Sequence, residues 1–165
     1  MFLLNHTKIL LSGVKIRETG FFCFLFSLLF FISCSNHHCK EPMFVPLVVS
    51  FYSEADTSLQ VSPQFLMING VDVSRINSVQ LFLKKFEESS EFLFAYDSTQ
   101  SKTDRLTIKH TNTQIFVSAE CGCLTTFYLD ELRHTNNNIT DAIIIKKSVT
   151  SNYNEKHIRI YFENY

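Results

Sequence analysis

Glycine and proline are scarce, four and three residues in a chain of 165, which excludes collagen-like and low-complexity chains and leaves one able to fill a packed interior. An excess of charge of one sign is lacking too. Fifteen Lys and Arg stand against sixteen Asp and Glu, for a formal net charge of −1, and the basic residues are scattered. The chain therefore lacks the electrostatic footprint of a nucleic-acid binder. There is no repeat of fixed period, no G-x-S-x-G nucleophile elbow and no H-E-x-x-H metal helix. Nor does any apolar run reach the roughly 20 residues of a membrane-spanning helix. The length suits one domain with its own core.

What is present begins with a short apolar run. Phe21 to Ile32 is unbroken by charge, preceded by Lys15 and Arg17 and closed by Ser33-Cys34. As a helix it would span about 18 Å, well short of the ~30 Å hydrocarbon core, and it fits the apolar region of a signal peptide. The order of parts also resembles the bacterial lipobox, with Phe31-Ile32-Ser33-Cys34 at the cleavage site and Phe31 where Leu is usual. In that resemblance the small Ser33 admits the peptidase and the Cys34 sulfur carries the lipid. Two or three acyl chains, at about 0.8 kcal/mol per buried CH₂, then hold the mature chain on a membrane. An ordinary cleaved signal or a short anchor helix is the plainer reading of the same run. The expected organisation is a signal peptide over 1–33, a lipidated tether over 34–46 and a β-domain over 47–165.

Past the tether, short runs of strand character follow one another. Leu47 to Tyr52 is rich in β-branched and aromatic residues. Phe65 to Ile68 and Val71 to Ser74 flank Asn69-Gly70, a strong hairpin signal because both residues tolerate the positive φ of a type I′ turn. Alternation marks Val79 to Leu83, Phe92 to Tyr96 and Leu106 to Ile108. It puts Ile115, Val117, Ala119 and Cys121 on the inward face of a further strand. Leu124 to Leu132, Ala142 to Lys147 and His157 to Phe162 complete the series. About eight strands at spacings near ten residues predict an all-β fold, an antiparallel β-sandwich of immunoglobulin-like or transthyretin-like type.

Loss of residues 1–33 would remove Cys23, and lipidation would consume Cys34. Cys39, Cys121 and Cys123 then remain to face an oxidising compartment. Cys121 and Cys123 on one strand face bond each other poorly, because a disulfide brings its Cβ atoms within about 4 Å. A Cys39–Cys121 bridge is favoured and would stabilise by roughly 4 kcal/mol in the chain-entropy model. The residues leave Cys123 as a buried thiol, an alternative partner for Cys39 or an intermolecular site.

Several segments together carry a wider resemblance: the lipobox, the early Cys39, "IFVSAECG" (Ile115 to Gly122), "LTTFYLDEL", "NNITDAIIIKKSVTSN" and the terminal "NEKHIRIYF". The chain resembles a family of uncharacterised lipoproteins from Bacteroidota. That resemblance implies an envelope location and an all-β domain, and no activity. It also places Cys39 and Cys121 at recurring cysteine positions, which adds weight to their pairing, with Cys123 as an extra. The tether "SNHHCKE" has one acid, Glu41; surface-exported lipoproteins of the group often carry an acidic run there, so an outer-membrane anchor facing the periplasm is favoured. Asp97-Ser98-Thr99 resembles the group's O-glycosylation site, whereas the sequon Asn138-Ile-Thr140 carries no expectation in such a host.

For chemistry, His37, His38, Cys39, Cys121 and Cys123 are soft or borderline ligands for zinc or copper, though their spacing matches no standard metal motif. A thiol oxidoreductase wants its Cys at a helix N-terminus rather than on a strand. His110, His134 and His157 read as strand-end or turn residues, His157 as an exposed one. Glu87, Glu88 and Glu91 surround a turn without a calcium-loop pattern. Two functional expectations result. One is a non-catalytic, lipid-anchored β-domain without a cofactor that binds an envelope protein or glycan, with Phe116, Phe127 or Tyr161 marking an exposed apolar patch. The alternative is a metal- or thiol-handling protein using Cys39, Cys121, Cys123 and nearby His.

Overall fold

The computed structural model describes Cys39 and residues 42–163; the expected signal peptide, the expected lipidation site Cys34, His37 and His38 lie outside the described residues. The described chain is all-β, in ten strands. They are β1 (Leu47–Ser53), β2 (Met67–Ile68), β3 (Val71–Asp72), β4 (Ser78–Leu81), β5 (Ser89–Ala95), β6 (Thr103–Ser118), β7 (Gly122–His134), β8 (Ile139–Ile144), β9 (Ser148–Val149) and β10 (Ile158–Phe162). The β-branched and aromatic residues that fill these runs fit a pleated, half-buried surface, and no helix occurs among the described residues.

The strands form two sheets, of order β4-β1-β10-β8 and β3-β2-β5-β6-β7-β9. Leu47, Val49, Phe51, Ile158, Ile160 and Phe162 from the first meet Phe92, Phe94, Leu106, Ile108, Phe127 and Leu129 from the second in one core. The Phe162 ring lies 5.5 Å from Phe51 within its sheet and meets Tyr96 of the β5 end edge-on at 6.0 Å. Such tilted and edge-on contacts suit the ring quadrupoles.

Three features depart from a simple antiparallel sandwich. First, β10 lies parallel to β1, with Val49 opposite Ile158 and Ser53 opposite Phe162. The final strand is inserted between β1 and β8 and ties the two ends of the fold together. Second, β6 is one continuous strand of 16 residues, and period-2 parity carries along it as far as Phe116. Its core face is Asp104, Leu106, Ile108 and His110, which continues to Asn112, Gln114 and Phe116. Ile115 therefore lies on the opposite face from the one expected, and Val117 is the extra residue where the register on β7 shifts between Phe116 and Ser118. Third, the register of β6 on β7 shifts at Lys109/His110, where Asp130 is the extra residue. That bulge changes parity along β7, so Phe127 and Leu129 below it and Leu132 above it all face the core. The Thr111 hydroxyl donates to Asp130 Oδ2 at 2.9 Å and fixes the bulged residue.

The Asn69-Gly70 hairpin forms as expected, with φ of 50° and 81° at the two turn residues. Its strands are only two residues each. Asn69 also accepts from the Leu93 N–H through Oδ1 at 2.8 Å, which seats the turn against β5.

Candidate functional site

Ala119, Glu120 and Cys121 form the turn between β6 and β7, with Gly122 at φ 74° where a side chain would be strained. Cys121 is bonded to Cys39 across a Cα separation of 4.8 Å, and its N–H donates to Ser118 Oγ at 3.1 Å. The residue that enters the described chain is thus fastened to the far end of the longest hairpin. Closing a loop of this length stabilises by about 4 kcal/mol in the chain-entropy model. Cys123 is the one free cysteine among the described residues and is exposed. It stands on β7 opposite Phe116. This corrects two expectations: Cys121 lies in the turn rather than on a strand face beside Cys123, and Cys123 is not a buried thiol. β6 ends at Ser118, earlier than alternation alone suggested.

Of the metal-ligand set His37, His38, Cys39, Cys121 and Cys123, two sulfurs are joined in the disulfide and the two histidines lie outside the described residues. Among the described residues no three His, Cys, Asp or Glu side chains converge.

A second cluster joins Ser90, His110 and Asn112. Asn112 Nδ2 donates to the carbonyls of Lys85 and Glu87 at 3.0 and 2.7 Å. Its Oδ1 therefore faces His110 Nδ1, 2.6 Å away, and accepts that ring's proton. Nε2 is then an acceptor for the Ser90 hydroxyl at 2.8 Å, while Ser90 Oγ accepts the Lys84 N–H at 2.8 Å. The proton order is that of a Ser–His–Asn nucleophilic relay. Exposure decides its use: Ser90 is 1 % exposed, so no substrate carbonyl reaches Oγ. An open cavity of about 700 Å³ beside it is lined by Lys85, Phe86, Ser89 and His110, and not by Ser90. The network holds the 84–88 turn onto β6 and satisfies its buried polar atoms. The ring of His110 is seated edge-on to Phe127 at 5.3 Å.

Two histidines thus depart from expectation. His110 lies within β6 rather than at its end. His157, expected on the surface, is fully buried. Its Nδ1 accepts the Val48 N–H at 3.1 Å and its own N–H donates to the Val48 carbonyl at 2.9 Å, so the residue opens the parallel β1–β10 ladder. Burial is the main cause that pushes the imidazole below its ordinary pKa; Lys146 pushes the same way and Glu155 opposes it. His134 sits half-buried at the end of β7, with Nδ1 3.1 Å from the Thr135 carbonyl.

Asp104, which no motif singled out, is the most heavily engaged carboxylate. Oδ1 accepts from Thr135 Oγ1 and the Asn137 N–H at 2.6 and 2.8 Å. Oδ2 accepts from the Tyr96 hydroxyl and from the N–H groups of Asn138 and Ile139 at 3.0, 2.8 and 3.0 Å. Burial raises its pKa, but these donors outweigh burial and hold it below the usual carboxylate range. The carboxylate fastens the connection by which the chain leaves β7 in one sheet for β8 in the other. Asp97 plays a lesser part in the β5–β6 loop, accepting from Thr99 Oγ1, Ser101 and Lys102. The Thr99 hydroxyl of the Asp97-Ser98-Thr99 segment is thereby engaged. Two of the acids near the β4–β5 turn are paired with cations, Glu87 with Lys84 and Glu91 with Arg105, both at 2.8 Å.

Exposed apolar side chains form the remaining candidate. Phe86, Phe116 and Phe82 are 90, 69 and 60 % exposed. Phe82 lines a groove of about 240 Å³ with Met43, Phe44, Leu83, Leu124 and Phe127. Of the three markers expected, Phe116 is exposed, whereas Phe127 and Tyr161 are buried. The Asp130 bulge turns Phe127 inward. Tyr161 meets Tyr52 in a tilted contact at 5.8 Å, on the outer face of the sheet. Phe82 and Phe86 lie in the β4–β5 connection; Phe82 falls between the inward positions of the Val79 to Leu83 alternation and Phe86 beyond it, so period-2 reasoning passed over both.

Residues 60–162, from just after β1 through β10, match a family of unknown function, DUF6452. No curated protein and no solved structure matches the chain.

Proposed function

We propose that this chain, which belongs to the DUF6452 family of unknown function, is a lipid-anchored, non-catalytic β-domain of a bacterial envelope that binds an envelope protein or glycan partner. The reading takes Cys34 as the lipidated residue, the Bacteroidota lipoproteins it resembles as its relatives, and the periplasmic face of the outer membrane as its place. The observation that carries it is Phe82, an exposed ring that lines an apolar groove with Met43, Phe44 and Leu124, with Phe86 exposed four residues further along the same connection. Monomeric proteins seldom leave large apolar side chains clustered at a surface unless a partner covers them. The Cys39–Cys121 disulfide suits an oxidising compartment such as the periplasm. The buried Ser90 hydroxyl argues against the hydrolytic use that its hydrogen-bond order suggests.

The test is crosslinking of the native protein in its cell, with identification of what is captured. A reproducible partner that is lost in Phe82→Ser and Phe86→Ser variants is the expected result. Absence of any reproducible partner, or capture unchanged by both variants, would overturn the binding role. Metabolic lipid labelling tests the anchor separately: Cys34→Ala should abolish the label, and its persistence would refute Cys34 as the site.

A further inference from the structure

The disulfide turns the lipid anchor into a statement about orientation. Cys34 and Cys39 are five positions apart, so a tether between them reaches at most about 17 Å even when fully extended. Cys39 is bonded to Cys121 in the β6–β7 turn. Resting on Cys34 lipidation, as proposed above, this holds the end of that hairpin within about 17 Å of the acyl chains, a distance comparable to the headgroup layer plus one layer of side chains.

The hairpin end has the composition such a position requires. From Ile115 to Leu124 the sequence is IFVSAECGCL, in which Glu120 is the sole charge. The stretches that flank it on the same two strands carry Lys109 on β6 and Asp130, Glu131 and Arg133 on β7. Phe116 pairs with Cys123 on one face, and Ile115 pairs with Leu124 on the other. Ile115 and Phe116 are 49 and 69 % exposed. A hairpin end that is apolar on both faces does not suit a partner protein that would cover one of them. It suits immersion in the interfacial layer of a bilayer, where aromatic rings are favoured and no single face has to be matched.

We infer that the β6–β7 hairpin end, led by Phe116 and Ile115, seats on the lipid surface to which Cys34 is anchored. The tether and the hairpin then make two contacts with one membrane. The domain is held upright, with β6 running away from the bilayer for about 50 Å and the β5–β6 loop at its distal end.

Cys123 supplies the reporter, because it is exposed, free and opposite Phe116. The acylated full chain is reconstituted into phosphatidylcholine vesicles that carry a nitroxide at the lipid headgroup. An environment-sensitive fluorophore is placed either on Cys123 or, in a Cys123→Ser/Ser98→Cys variant, in the exposed β5–β6 loop. Quenching at Cys123 at least threefold above that at position 98 is expected, with Phe116→Asp reducing it by half or more. Equal quenching at the two positions, or quenching indifferent to Phe116→Asp, would overturn the inference. So would a Cys123 label that stays unquenched in lipid but crosslinks to a protein in native membranes, which would identify a protein occupant. Mass spectrometry of the same preparation separates the two layers of the reading. A chain without acyl mass sinks the anchor and this inference with it, whereas an acylated chain with equal quenching sinks the inference alone.

Discussion

One hairpin contains two environments. In the half of β6 and β7 that lies within the sandwich, Leu106, Ile108 and Leu129 are fully buried, and the charged or polar residues between them point outward. In the half that leads to the turn, Ile115 and Phe116 are exposed on opposite faces, and the nearby Tyr128 is exposed as well. The two strands pair antiparallel in both halves. The difference is that the other sheet supplies Phe51, Ile160 and their neighbours opposite the first half, while Ile115, Phe116 and Cys123 in the last pairs before the turn stay exposed. Alternation of apolar and polar residues therefore reports a strand. It does not report whether anything packs on it, and the uncovered half is where an outside surface is called for.

The largest effect that would break this comparison is in the covered half. Phe94 of β5 is fully buried in the shared core, and Phe94→Ala should cost about 3 to 5 kcal/mol, measured by urea unfolding. A loss under about 1 kcal/mol would mean that the two sheets do not share a close-packed core.

Asp104→Ala comes next. It removes the acceptor from three backbone N–H groups and two hydroxyls at the crossover between sheets, and should cost about 3 kcal/mol or more because those donors are left without partners. The pH dependence has a definite sign. The folded-state pKa lies below the ordinary carboxylate value, so the contribution is fully present above about pH 4 and is lost as pH falls through the folded-state pKa. The variant should show a flatter acid branch than the parent, and identical acid branches would exclude this role.

His157 acts in a higher pH window and with a smaller effect. Its folded-state pKa lies below the ordinary histidine value, so the unfolded chain binds a proton more readily. Stability should be complete above about pH 6.5 and decline as pH drops below it. His157→Asn keeps an acceptor near the Val48 N–H and cannot take up that proton. Thermal unfolding across pH 5 to 7.5 should be flatter in the variant, and an unchanged slope would assign the titration to another group.

The smallest effect belongs to the uncovered half. Phe116→Ser should change the stability of the protein in solution by no more than about 0.5 kcal/mol, since the ring is already in solvent. A loss of 2 kcal/mol or more would show that the ring is packed and that the two halves of the hairpin are not different in kind.

Much of this was legible in the sequence where the physics is local. β1, β5, β6, β7 and β10 were read from β-branched and alternating runs, and the Asn69-Gly70 turn from the φ its residues tolerate. The Cys39–Cys121 bridge was expected on the premise that Cys121 shares a strand face with Cys123; the bridge forms, with Cys121 in the turn instead. Features that depend on distant parts of the chain were not legible. The donors to Asp104 in the β7–β8 connection lie 31 to 35 residues away, and the Val48 partner of His157 lies 109 residues away. Neither separation leaves a local pattern. The Asp130 bulge is a single unpaired residue, and it inverted the reading of Phe127. The unbroken length of β6 inverted the faces of Ile115 and Phe116, because two separate strands were expected where one runs through. The parallel place of β10 follows from how the sheets close, which no short run encodes.

The attachment of the entering chain to the hairpin end is the point on which orientation, exposure and the comparison of the two halves all depend. Proteolytic mapping of the unreduced native protein, after alkylation of accessible thiols, tests it most directly. A crosslinked peptide pair containing Cys39 and Cys121, with alkyl label on Cys123, is the predicted result. A Cys39–Cys123 pair, or a Cys123 that resists alkylation, would contradict it.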